Sequence, residues 1–108
     1  MKTDIEMLEA AAKAAGVRHV KPTEGYSGAL GLEMCDEYGR PMGPWSPLTD
    51  DGDALRLAVA MALEIRPGVG MVTAAGDGVW EEVPTADYTR EQATRRAIVE
   101  AAAIIGAG

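Results

Sequence analysis

Apolar residues recur at helical spacing near both ends of the chain and in its middle, with alternating stretches between them. Ile5, Leu8, Ala11, Ala12 and Ala15 fall on one face of a 3.6-residue repeat. Thr3 and Glu6 ahead of them have the capping-box spacing, in which the hydroxyl takes an orphan backbone N–H and the carboxylate reaches back. Asp4 and Glu6 suit the positive end of the helix dipole, and Gly16 supplies a stop. The spacing predicts a helix over Asp4–Ala15. Thr89 and Gln92 repeat the capping box before a last helix, whose buried face is Ala93, Ala97, Ile98, Ala101 and Ile105. Its solvent side carries the i,i+4 pairs Glu91–Arg95 and Arg96–Glu100, and Gly106-Ala107-Gly108 is expected to fray the end.

Between these helices, Val17–Lys21, Ala29–Cys35, Val69–Ala75 and Val79–Val83 read as strands. Asp36–Arg40 is a turn, because Gly39 tolerates a positive φ, and Gly76-Asp77-Gly78 is a hairpin signal. Pro41, Pro44 and Pro47 exclude a central strand or a helix, so this piece should be an extended crossing loop with Trp45 inside it. A middle helix follows, capped by Asp50 or Asp51 with Asp53 in its first turn. Ala54, Leu55, Leu57, Ala58, Val59, Met61, Ala62, Leu63 and Ile65 fill nearly every position, leaving Asp53, Arg56, Ala60 and Glu64 as a narrow stripe. A helix apolar almost all round should be buried on most sides. Pro67 and Gly68 are its expected end. The order predicts an α+β domain: an antiparallel sheet of about four strands covered by three helices, α-β-β-α-β-β-α, in a layered sandwich.

Composition narrows the function. The 108 residues suit one domain spanning the chain, 1–108. With no Phe and five aromatic residues, the core must be built from Ala, Val, Leu, Ile and Met, so homodimer formation would add useful burial. Seventeen acidic against ten basic side chains give a net charge of -7, which repels nucleic acid and anionic membrane and leaves a protein as the expected partner. One cysteine, Cys35, cannot form an internal disulfide or a multi-thiolate metal site. No apolar run approaches the roughly 18 residues of a membrane-spanning helix, and the start MKTDIEMLEA lacks the apolar core of a Sec-type signal peptide.

The run Trp45-Ser46-Pro47-Leu48-Thr49-Asp50-Asp51-Gly52-Asp53-Ala54-Leu55-Arg56-Leu57-Ala58-Val59 is unusually specific. With the opening Asp4–Glu9 and the closing Thr94–Val99, it resembles small phage and prophage proteins of unknown function. The layout is similar to the phage α/β/α ("ABA") sandwich domain and, more distantly, to NinX-like phage proteins. The resemblance implies a layered fold and a place in the bacterial host cytoplasm. It brings no catalytic residue and no cofactor.

Several side chains invite chemistry. Asp50, Asp51 and Asp53 could hold Mg²⁺ or Ca²⁺ as the centre of a small metal-dependent enzyme, but the run lacks the alternating ligands and distal Glu of a calcium loop, and helix capping explains the same residues. Cys35 and His19 lack the spacing of an oriented nucleophile–base pair. Gly25–Gly31 and Gly68-Val69-Gly70 do not run from a strand into a helix N-terminus, as a phosphate loop would. Arg90, Arg95 and Arg96 are expected as a solvated helix face rather than a nucleic-acid patch. Trp45 and Trp80 are the candidate partner contacts, although Trp45, flanked by prolines, reads first as a plug sealing the core edge. The leading expectation is a non-enzymatic module that binds another macromolecule. The alternative is an acidic inhibitor that mimics nucleic acid in the basic groove of a host defence protein. Clustering of carboxylates such as Glu33, Asp36, Glu37, Glu81 and Glu82 on one face would favour that reading, and scattering would weaken it.

Overall fold

The computed structural model describes residues 3–17, 20–24, 30–35, 38 and 40–107. They form α1 (Asp4–Ala15), β1 (Val20–Glu24), β2 (Leu30–Cys35), β3 (Pro41–Trp45), α2 (Asp51–Ala60), β4 (Glu64–Pro67), β5 (Met71–Gly76), β6 (Val79–Pro84) and α3 (Arg90–Ala107). The α+β class and antiparallel pairing are as predicted. The strands, however, number six among the described residues and form two separate sheets, β1-β2-β3 and β4-β5-β6. Sheet β1-β2-β3 lies against α1, sheet β4-β5-β6 lies against α3, and the two helices pack on each other, so helices occupy the middle of the sandwich.

Local chemistry explains most element ends. The Thr3 hydroxyl accepts from the Glu6 N–H at 3.2 Å, and Thr89 and Gln92 exchange the same pair of bonds at 3.1 and 2.9 Å. At the end of α1 the Gly16 N–H bonds the Lys13 carbonyl and the Val17 N–H bonds the Ala12 carbonyl, with Gly16 at φ 77°. This double closure is the Schellman motif. The β5–β6 turn has Asp77 and Gly78 both at positive φ, the two-residue geometry that matches strand twist.

Two additional strands account for the difference from the predicted order. The proline-bearing crossing is a strand, β3, pairing Leu32 with Trp45 and Glu33 with Pro44. It is an edge strand, where a missing N–H costs least, and its pairing with β2 is interrupted by a bulge. The second addition, β4, takes up residues expected at the C-terminal end of α2. That helix stops at Ala60, where the Ala62 N–H bonds the Val59 carbonyl and the Leu63 N–H bonds the Ala58 carbonyl. This is again a Schellman closure, but the left-handed residue is Ala62 at φ 52° rather than a glycine. The chain then enters β4, pairing Ile65 with Ala74 and Pro67 with Val72.

The expectation for α2 fails in a second respect. Leu57, Ala54 and Ala58 are buried, but Leu55 and Val59 are 65% and 71% exposed. The shielded rod is α3: Ala93, Ala97 and Ala101 face β5 and β6 with Val72, Ala74 and Val83, while Ile98, Val99, Ala102 and Ala103 join α1, α2, Leu32 and Trp45. Gly106, expected to fray, is helical and buried. A Cβ there would collide with the Ala10 carbonyl oxygen, so only hydrogen lets α1 and α3 approach this closely.

Candidate functional site

The segment before α2 is held by its own acids. The Asp50 carboxylate caps the helix by accepting the Asp53 N–H at 2.8 Å. Asp53, the one buried acid among the described residues, accepts the Ser46 N–H at 2.9 Å and Arg56 at 2.6 Å. Asp51 instead meets Arg95 across the fold at 2.6 Å, and the Arg95 Nε also donates to the Leu48 carbonyl at 3.0 Å. Each of the three aspartates thus has its own structural partner. Among the described residues no three Asp, Glu, His or Cys side chains gather as a metal-binding group.

The arginines follow the sequence expectation in part: Arg96 pairs with Glu100 and Arg90 is solvated, but Arg95 finds another partner. Arg95 is paired with Asp51 rather than with Glu91. Arg96 lies against Asp4 at 3.2 Å and Glu100 at 3.6 Å, with its guanidinium over the Tyr88 ring. Burial pushes the Glu100 carboxyl above its ordinary pKa; Arg96 opposes the shift, and Glu81 and Asp4 add to it. Arg90 is exposed, and its side chain makes no ion pair or hydrogen bond with the described residues.

Trp45 is 5% exposed in the core beside Leu32, whereas Trp80 is 56% exposed on β6. The pairing register defines Trp80's surroundings. Glu64, Ala75 and Trp80 form one row across the outer face of the second sheet, and Arg66, Thr73 and Glu82 form the next. Met71 and Pro84 make a third. Glu64 and Arg66 pair at 2.6 Å, and the small Ala75 beside Trp80 leaves the indole proud of the sheet. Alternation sends Glu81 to the opposite face, half-buried near Glu100, so Glu81 and Glu82 do not build one anionic surface. Of the other acids in that reading, Asp36 and Glu37 lie outside the described residues, as does the Glu33 side chain. So do His19, the Cys35 side chain and the chain from Gly25 to Ala29. In Gly68-Val69-Gly70, the residues form the β4–β5 connection, where the Val69 carbonyl accepts from the Thr85 hydroxyl at 2.9 Å.

A second surface went unread in the sequence. On the other side of β4, a groove of about 410 Å³ runs between α2 and α3, floored by Ala54, Ala58, Ile65, Pro67 and Ile98. Leu55 forms its lip, and Arg90 and Glu91 stand along α3. The signal was present in the same apolar positions of α2, read there as burial within the fold. No helix among the described residues is long and apolar enough to cross a membrane. No protein-family model, curated protein or solved structure matches the chain.

Proposed function

We propose that the protein is a non-enzymatic phage or prophage accessory module that binds another protein in the host cytoplasm through the outer face of β4-β5-β6. The observation that carries this reading is Trp80, more than half exposed on an open sheet face with Met71 on the same side. Leaving so large an apolar ring in water forfeits burial worth about 2 kcal/mol or more, and Trp is enriched where interfaces concentrate their energy. The exposed Glu82 lies in the neighbouring row, so the matching surface would offer an apolar pocket for the indole beside a cation. The phage assignment rests on the resemblance carried by Trp45–Val59 and the two flanking helices.

A photo-crosslinker installed at Met71, in host lysate, tests the reading. One defined protein should be captured, and Trp80→Ala should reduce its affinity by about thirtyfold, the scale of a hot-spot truncation. Trp80 emission should shift to the blue on binding, while buried Trp45 provides an unchanging background. Equal capture by the Trp80→Ala variant would contradict the proposal.

A further inference from the structure

The α2–α3 groove has the marks of a surface that recognises itself. It joins a hollow to side chains that could fill one: Ala54, Ala58 and Pro67 leave the space, while Leu55 on its lip and Val59, one turn further along α2 and outside the lining, are 65% and 71% exposed. Its charges have the same property. Arg90 and Glu91 are adjacent, exposed and of opposite sign, and neither side chain makes an ion pair or hydrogen bond with the described residues. The neighbouring charges are already matched within the chain, Asp51 with Arg95 and Asp53 with Arg56. The net charge of -7 therefore lies outside a locally neutral patch, and over more than about 8 Å it is screened at physiological salt.

A twofold axis brings a patch against a second copy of itself, so every feature must find its mate in the same set of residues. We infer that two copies of this chain pair through the groove, each placing Leu55 and Val59 against the hollow of the other, with Arg90 of each copy meeting Glu91 of its mate. A foreign partner would require no such balance of hollow with projection or of cation with anion. The face is the opposite side of β4 from Trp80, so dimer formation leaves the proposed partner surface open.

Sedimentation velocity and light scattering on the full chain, at concentrations up to about 1 mM, test the pairing. The wild type should reach twice the 11.3 kDa chain mass. Leu55→Glu should remain monomeric with an unchanged circular dichroism spectrum, since the residue supports no core. Arg90→Glu should weaken the dimer at least about tenfold by opposing like charges, and the double exchange Arg90→Glu/Glu91→Arg should restore it. A monomeric wild type throughout that range would overturn the inference. So would a dimer indifferent to Leu55→Glu, or an exchange variant no tighter than Arg90→Glu.

Discussion

Helices α2 and α3 have exchanged the roles that their residues suggest. Six of the ten residues of α2 are Ala, Leu or Val, yet it lies on the surface with Leu55 and Val59 in water. In contrast, α3 carries Arg90, Glu91, Arg95, Arg96 and Glu100 and still forms the spine between α1 and the second sheet. The difference lies in side-chain size and placement rather than in apolar content. Alanines on α3 let neighbours approach from two sides: Ala93, Ala97 and Ala101 from β5 and β6, and Ala102, Ala103 and Gly106 from α1 and its surroundings. Its arginines reach out from the seams to Asp51 and Asp4, so they fasten the spine without entering it. A helix reads as buried when its apolar residues outnumber what one face can hide. In α2 the excess is displayed instead.

If α3 is the spine, its closest crossing should be the most sensitive point. Gly106→Ala is expected to lower stability by about 3 kcal/mol in urea titration, because the new methyl meets the Ala10 backbone and forces the helices apart. The gain in helix propensity, about 1 kcal/mol, offsets only part of this. Smaller and of opposite sign, Ala62→Gly should stabilise by about 0.5–1 kcal/mol, relieving a left-handed alanine at the end of α2. No loss of helix signal should accompany it.

The smallest effect concerns the charge on the flank of α3. The raised pKa of Glu100 means that the folded protein prefers its neutral form. That contribution is fully present below the unfolded carboxyl value and is lost as pH rises through the folded one. Glu100→Gln should therefore stabilise at neutral pH by no more than about 0.5 kcal/mol, the scale of a partly exposed site. The advantage should disappear on acidification, as read from denaturation midpoints across pH.

What the sequence made legible follows from the range of each interaction. Both capping boxes, the Gly16 stop, the Asp77-Gly78 turn and the bounds of α1 depend on neighbours a few residues apart. The end of α2 was hidden because alanine at 62 takes a conformation usually left to glycine, and Leu63–Ile65 continues the helical pattern while also suiting a strand. The division into two sheets depends on non-local pairing, as does the acceptance of Pro41 and Pro44 on an edge. At the candidate surfaces, Trp80 was legible as a large ring alternating with acids. The groove was not, since its walls come from three elements whose juxtaposition no local pattern records.

The most direct test of the exchanged roles removes the same two methyl groups from each helix. Val99 is fully buried on α3 and Val59 is 71% exposed on α2, and both gain the same helix propensity on becoming alanine. Measured in urea at micromolar protein, where a weak dimer is dissociated, Val99→Ala should cost at least about 1.5 kcal/mol more than Val59→Ala. Equal costs, or a larger one at Val59, would contradict a spine made by α3.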